Sequence, residues 1–316
     1  MVEKTQSVTA QPSILVTGAA GRVGSVGFKL VEQLCHKGFP VRAMVRHEDE
    51  RSQRLKDMGA QVVAGDLTNL SDLHKAINGC KRIYFGMGVS DQYLEALLKT
   101  ALVCKQYGID IFVNISQMTV SGMNVFHSTE SKQQQYHWMG EEVLNWSGLP
   151  VVHLRSTIFL EHPFFTEFAA HTISKSGEIR LPFGEGKTSP IASWDVARVA
   201  LTILSDESLD PYIGKVYQLT GEKSQDMHSI ALEFSRALGR DITYVDIPQE
   251  EFENQEEFST MPNHLKNHLR TMAILHHEND YDRLTNDVEK LTSTKPMSVE
   301  EWTKENQSLF VTQYYN

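Results

Sequence analysis

The sequence predicts an α/β protein built on a doubly wound parallel sheet, with a smaller, discontinuous, mostly helical lobe attached to it. Short apolar runs alternate with helical segments through the first 160 residues, and this alternation is typical of a parallel sheet covered by helices on both faces. After residue 160 the alternation becomes irregular, and it resumes near residue 194. The second lobe is therefore expected to form from separate pieces of the chain.

Each element is predicted from the spacing of its apolar residues and from the residues that end it. Glycines such as Gly38, Gly59, Gly108 and Gly148 follow helical segments and act as stop signals. The predicted strands cover 14–16, 41–45, 61–65, 81–86, 110–116, 151–156, 215–220 and 242–247. The predicted helices cover 23–34, 48–58, 69–78, 90–107, 128–146, 194–205 and 224–238, and the sequence after 248 is expected to be mostly helical.

The first strand runs directly into a glycine-rich turn. A pyrophosphate needs backbone N–H groups at the start of a helix with no side chain in the way, and glycine provides both the turn and the clearance. Strand, turn and helix follow one another here, which favours a dinucleotide site over a glycine-rich turn without a ligand. The residues expected to hold the pyrophosphate are Gly18, Ala19, Ala20, Gly21, Arg22, Val23 and Gly24.

These patterns predict how the chain divides. Residues 1–12 are expected to form a flexible tail. Residues 13–160 and 186–222 are expected to form a dinucleotide-binding Rossmann domain, and residues 161–185 and 223–316 a substrate-binding lobe. Ligands of such sheets bind at the carboxyl ends of the strands, so the cleft between the two parts is the expected site.

The residue after the second strand indicates which dinucleotide is bound. NAD-binding chains usually carry Asp or Glu about twenty residues past the glycines, whereas this chain has Arg46, 22 residues after Gly24. A guanidinium pairs well with a 2′-phosphate, so NADP(H) is preferred over NAD(H). The alternative is a solvated surface arginine, because the acids at 48–50 partly cancel the local charge.

Three further segments are expected to contact the cofactor. Asp66 and Leu67 follow the third strand and are expected near the adenine, although Asp66 is equally suited to a turn or to a helix N-cap. Gly86 and Met87 end the fourth strand at the same edge of the sheet.

Composition excludes several classes of partner. A net charge of −10 argues against nucleic acid and anionic membranes, and no segment has the length and apolarity of a signal peptide or a membrane span. The three cysteines form no C-x-x-C pair, which fits a reducing, cytoplasmic location. The histidine pair His264 and His268 lacks the H-E-x-x-H pattern, so no metal is expected, and a helical surface accounts for these residues. Monomer and dimer both remain open.

The chain resembles the NmrA-like family, which consists of atypical short-chain dehydrogenases similar to isoflavone reductases and to bacterial quinone and triphenylmethane-dye reductases. The resemblance rests on the motifs at 17–24, 41–46, 65–67, 149–155 and 281–285. It implies an NADPH-dependent reductase of a hydrophobic carbonyl, quinone or related aromatic substrate. The family also contains redox sensors that bind NADP without turnover, and a non-redox cyclase or isomerase is a further alternative.

The catalytic candidates depart from the wider dehydrogenase group, because no tyrosine here is followed four residues later by lysine. His137 and Tyr136 are the expected proton donors, with water as an alternative, and Glu141 is expected beside the His137 imidazole. His137 is equally suited to ordering its helix or contacting a ribose. Ser116 stands where the wider group keeps a catalytic serine, and it is expected either to bind the carbonyl or to cap its strand.

An apolar and aromatic lining is expected for the substrate pocket, which suits a flat hydrophobic substrate. The residues expected in this lining are Met87, Met118, Phe126, Phe159, Phe164 and Phe183. Packing between the two lobes is the alternative role for these phenylalanines.

Overall fold

The computed structural model describes residues 14–21 and 26–311. Its main sheet has seven strands in the order β3-β2-β1-β4-β5-β6-β8, and every neighbouring pair is parallel. The strands are β1 (Ile14–Thr17), β2 (Val41–Val45), β3 (Gln61–Ala64), β4 (Arg82–Phe85), β5 (Ile111–Gln117), β6 (Val151–Ser156) and β8 (Val216–Leu219). The order reverses between β1 and β4, and in such sheets this switch point opens a crevice at the carboxyl ends of the strands.

Helices cover both faces of this sheet and build the second lobe. The helices are α1 (Val26–His36), α2 (Glu50–Asp57), α3 (Leu70–Ile77), α4 (Tyr93–Tyr107), α5 (Lys132–Trp146), α6 (Ala170–Ser176), α7 (Ser193–Ser205), α8 (Met227–Leu238), α9 (Gln249–Glu253), α10 (Glu256–Ser259), α11 (Asn263–His277), α12 (Asp287–Thr292) and α13 (Val299–Glu305). No helix within 14–21 and 26–311 is both long and apolar enough to cross a bilayer.

Alternate residues of the central strand enter opposite hydrophobic cores. Ile14 and Val16 pack with α1 and α7 on one face, whereas Leu15 packs with α3, α4 and α5 on the other. The side chains of a strand alternate between its two faces, so a strand buried on both sides is continuously apolar. The predicted doubly wound parallel sheet is therefore confirmed.

The second lobe contains a short parallel pair, β7 (Glu178–Leu181) and β9 (Thr243–Asp246). Its own core joins residues after β6 to side chains from α6, α8, α11 and α13. The strand predicted over 242–247 is confirmed as β9, but β7 was missed, because four residues with alternating polar side chains give a weak strand signal.

Helix α12 lies against the main sheet, although residues 223–316 are expected in the second lobe. Val288 is buried with the residues of α7 and β8, and the Asp287 carboxylate accepts a hydrogen bond from Gln218 N at 2.8 Å. The chain therefore returns from the second lobe to the first before it enters α13.

Candidate functional site

The turn after β1 is tied to the end of β4 by reciprocal hydrogen bonds. Thr17 Oγ1 donates to Gly86 O at 2.8 Å, and Gly86 N donates to Thr17 Oγ1 at 2.9 Å. Gly18 has φ 68°, and a Cβ placed on it would lie 2.5 Å from Gly86 O. Only glycine fits this approach.

The start of α1 packs equally closely against the turn. A Cβ on Gly27 would lie 3.0 Å from the Ala19 Cα, so this position supplies the close helix–strand approach that such turns need. Arg22, Val23 and Gly24, which were expected to contact the pyrophosphate, lie outside the described residues. Ala19 is buried beneath the turn.

A cavity of about 320 Å³ opens at the carboxyl ends of the central strands. Its first-lobe wall includes Thr17, Gly18, Gly21, Gly86, Met87, Ser116, Gln117 and Met118. Its second-lobe wall includes His162, Pro163, Leu265, His268, Met272 and Tyr281. No Asp, Glu, Lys or Arg is among the described residues that line it. One cavity therefore joins the glycine turn to an uncharged wall from the second lobe.

The expected cofactor-selecting residues lie at the edge of β2 and β3. The Arg46 side chain is 70% exposed and its Nη2 lies 3.8 Å from Asp66 Oδ2. Asp66 Oδ1 also accepts hydrogen bonds from the N and Oγ1 of Thr68, which lower the pKa of the carboxyl. Leu67 is partly buried against the adjacent core.

Arg51 is a further cation at this edge. Its Nη1 donates to Ala20 O at 2.9 Å, and its Nε donates to Asp49 at 2.9 Å. Asp49 is the N-cap of α2, so the helix start fixes the carboxylate that orients the guanidinium. Arg51 is therefore bonded to the glycine turn itself, whereas Arg46 pairs with Asp66 at the ends of β2 and β3.

Three expected pocket residues are not in the cavity wall. Phe126 is 97% exposed in the loop before α5, because its neighbours form a short hairpin with the bridge Asn124–His127. Phe164 and Phe183 are fully buried in the second-lobe core, where their rings meet edge to face at 5.0 Å. Their placement as pocket walls is corrected: they support the second lobe instead of lining its cavity.

Ser116 lies at the end of β5 and lines the cavity. Its Oγ is buried and has no hydrogen-bond partner among the residues that the structure describes. An unpaired buried hydroxyl costs roughly 1–3 kcal/mol, so this group is available to a ligand. Met87, Met118 and Phe159 stand in the same wall.

His137 also lines the cavity and is only 6% exposed. Burial lowers its pKa to about 3, helped by the nearby His268. The ring is therefore neutral at physiological pH, so it is not the charged imidazolium that would donate a proton as an acid. The expected neighbour Glu141 instead pairs with Arg155 of β6, with Oε2 2.6 Å from Nη2.

The proton of the neutral His137 ring can be assigned from a backbone donor. Ser90 N donates to Gln133 Oε1 at 3.0 Å, which fixes the orientation of the amide. Gln133 Nε2 then donates to His137 Nε2 at 3.2 Å, so the ring carries its hydrogen on Nδ1. This Nδ1 is buried and finds no partner within 14–21 and 26–311.

Tyr136, the other expected donor, does not line the cavity. Its ring stacks on His264 with the centroids 5.9 Å apart, and it packs against the core beneath α4 and α5. Neighbouring positions on a helix point in directions about 100° apart, so α5 cannot turn both Tyr136 and His137 toward the cleft.

Helix α11 carries two buried histidines. His268, which was expected on a helical surface, is 2% exposed, so that expectation is wrong, and His276 on the same helix is 1% exposed. His268 lines the cavity and its Nδ1 lies 2.8 Å from Ser131 Oγ. Leu265, Met272 and these histidines recur at helical spacing, so a shared inward face is the signal that could have found them.

Comparison with known proteins matches the chain to a family. The family model described as "NmrA-like family" matches residues 10–303. The chain is also 24% identical over 299 residues to an NAD(P)H azoreductase of Xenophilus azovorans, and the aligned region covers 94% of this chain and 99% of that protein.

Two solved structures show the same fold. One is an NADPH-dependent quinone oxidoreductase of Escherichia coli complexed with NADPH, with a TM-score of 0.78, 19% identity, and coverage of 93% of this chain and 99% of that one. The other is NmrA, a negative transcriptional regulator in complex with NADP, with a TM-score of 0.77, 19% identity, and coverage of 94% and 95%.

Proposed function

The chain belongs to the NmrA-like family, and we propose that it is an NADPH-dependent reductase that transfers hydride to a hydrophobic carbonyl, quinone or related aromatic substrate. The observation that carries the proposal is the cavity that joins the glycine turn to the Ser116 hydroxyl and to an uncharged second-lobe wall. A concave, largely apolar site with a few convergent polar groups is the expected form of a small-molecule site.

The turn fits a dinucleotide. A Cβ on Gly18 would strike Gly86 O at 2.5 Å, so the space between the two strand ends accepts only backbone. Backbone N–H groups at a helix start favour phosphate. When bound, NADPH supplies the hydride, and this chain's residues position and polarise the acceptor.

Arg46 and Arg51 support a preference for the 2′-phosphate. Arg46 faces solvent beyond β2, and Arg51 lies over Ala20 O at 2.9 Å. We expect Arg46→Asp to raise the Kd for NADPH about tenfold or more with little change for NADH, because a charge-assisted pair is replaced by repulsion. Arg51→Gln is the second variant, with a smaller loss in the same direction. Equal losses for both cofactors would contradict this assignment.

At the substrate, two donors are available to an oxygen that gains charge. Ser116 offers an unpartnered hydroxyl, and His137 offers an Nδ1–H in a neutral ring. Because the pKa of His137 is held near 3, the ring acts as a hydrogen-bond donor and not as an imidazolium acid. The proton that completes a hydroquinone or an alcohol then comes from water.

A panel of quinones, azo dyes and aromatic carbonyls tests the proposal directly. Purified protein with NADPH should oxidise the cofactor in step with one or more of these acceptors. Tight NADPH binding with no acceptor-dependent oxidation would refute the reductase proposal.

That outcome would favour the second candidate, an NADP(H)-binding redox sensor. The absence of a Tyr-x-x-x-Lys pair and the low pKa of His137 both deprive the cleft of the usual proton donor. One structural neighbour is itself a transcriptional regulator in complex with NADP. A sensor would differ in its hydrodynamic radius or its amide hydrogen exchange between the NADP⁺-bound and the NADPH-bound state, without consuming either cofactor.

A further inference from the structure

We propose that His162 is a specificity-determining residue whose Nε2–H binds a second, uncharged oxygen of the substrate, on the second-lobe side of the cavity. The proposal rests on the proposed reductase function and narrows its substrate to flat molecules with two hydrogen-bond-accepting oxygens, of which para-quinones are the simplest.

The proton position in His162 follows from a main-chain donor. Phe164 N donates to His162 Nδ1 at 3.3 Å, so Nδ1 is an acceptor and carries no hydrogen. Burial holds the pKa of His162 well below its ordinary range, and the ring is therefore neutral. A neutral imidazole with a bare Nδ1 carries its hydrogen on Nε2.

The ring is fixed in place by the chain that follows it. The His162 carbonyl accepts hydrogen bonds from Phe165 N at 2.9 Å and from Thr166 N at 3.0 Å. The π-helical turn over Phe164–Ala169 follows directly, and the ring lies against Phe164 with the centroids 4.8 Å apart. π-helical turns are rare and are frequently found at functional sites.

His162 then offers its donor to the cavity that it lines. The cavity's first-lobe donors, Ser116 and His137, come from the end of β5 and from α5, whereas His162 comes from the loop after β6. Two separate parts of the wall therefore hold N–H or O–H groups, which matches a substrate with an oxygen at each end.

The uncharged wall defines which oxygens fit. No carboxylate is among the described lining residues to compensate a cationic dye, and no lysine or arginine to compensate a carboxylate. His137 and His268 both have a pKa near 3 because of burial, so neither adds charge above about pH 5. A desolvated ion in such a site is costly unless it is paired, whereas a quinone oxygen needs only a donor.

Two substitutions separate substrate binding from a structural role. In His162→Asn the side-chain oxygen can replace Nδ1 as the acceptor for Phe164 N, but nothing reaches the position of Nε2. In His162→Gln the longer amide reaches the Nε2 position and can donate there, while the Nδ1 acceptor is lost. The two variants thus remove one function each.

The probe is menadione, a para-quinone without charge. We expect His162→Asn to raise the KM for menadione about 3- to 10-fold with kcat nearly unchanged, because one net hydrogen bond to the substrate is lost. We expect His162→Gln to keep the KM within about twofold of the wild-type value. The same order should appear in the Kd measured calorimetrically with NADP⁺ present, which cannot donate a hydride. Thermal stability and NADPH affinity are measured for each variant.

The opposite order, with Gln impaired and Asn normal, would show that His162 only holds the turn and would overturn the proposal. Unchanged affinity in both variants would overturn it as well. Failure of the reductase function is distinguishable: the wild type would then bind menadione through His162 by calorimetry without oxidising NADPH. If the wild type reduces quinones but binding is insensitive to His162, the reductase function stands and this inference falls.

Discussion

The stability of this protein should fall steeply as the pH drops below neutrality. Five of its 13 histidines are buried in the folded chain, and burial is the main cause that lowers the pKa of each. His137, His268 and His276 have pKa values of about 3. An unfolded histidine titrates near 6.5, so between these values the unfolded chain binds more protons than the folded one.

The magnitude follows from those three residues. At pH 6 they would take up about two protons on unfolding, which gives a slope of about 3 kcal/mol per pH unit. The free energy of unfolding should therefore drop by about 2 kcal/mol from pH 7 to pH 6, and by about 4 kcal/mol more to pH 5. The contribution of these three neutral histidines to the free energy of unfolding is complete above about pH 7.5 and is lost as the pH falls. His153 and His162 add to this loss in the same direction.

Urea unfolding at a series of pH values measures this slope. His276→Phe is the matched variant, because a phenyl ring can occupy the stack between Phe183 and Tyr281, where the centroids lie 4.1 and 3.8 Å from that of His276. Whatever its stability at pH 8, its slope at pH 6 should be smaller by about 1 kcal/mol per pH unit. An identical slope in wild type and variant, or an uptake of under one proton in the wild type, would refute the reasoning.

Three other substitutions test the site and its support. Gly18→Ala should abolish NADPH binding because its Cβ meets Gly86 O at 2.5 Å. The control is Gly38→Ala, which is also at positive φ but has nothing within 4 Å of its Cβ; it should lower the free energy of unfolding by about 1 kcal/mol and still bind NADPH. Similar NADPH binding in both variants would contradict this. Ser116→Ala should lower kcat/KM about tenfold or more without lowering the melting temperature, since its Oγ bonds to none of the described residues, and full activity would remove it from the mechanism. Glu141→Gln should reduce the free energy of unfolding by about 3 kcal/mol by breaking the buried pair with Arg155; a loss below about 1 kcal/mol would show the pair to be dispensable.

Much of the first lobe could be predicted from sequence because its signals are local. The six strands from β1 to β6 and the helices between them lie where apolar runs and glycine stops placed them. The glycine turn could be located for the same reason, because it directly follows the apolar residues of β1. Its contact with Gly86 then forms through the ends of the neighbouring strands β1 and β4.

The substrate end of the cavity depends on contacts that local patterns do not record. His162, His268 and Tyr281 come from distant parts of the chain and meet only in the folded protein. Phe126 and Phe164 have the same residue type, yet Phe126 is exposed and Phe164 is buried. Residue type therefore indicated an apolar wall, while packing decided which side chains form it.

The central claim is that the cavity binds NADPH at the glycine turn and a flat uncharged acceptor beside Ser116 and His137. Anaerobic mixing of the protein with NADPH and menadione, following both by absorbance, tests it most directly. The account predicts one NADPH oxidised for each menadione reduced, with the rate lowered in Ser116→Ala. Saturated NADPH binding without any menadione-dependent oxidation would contradict it.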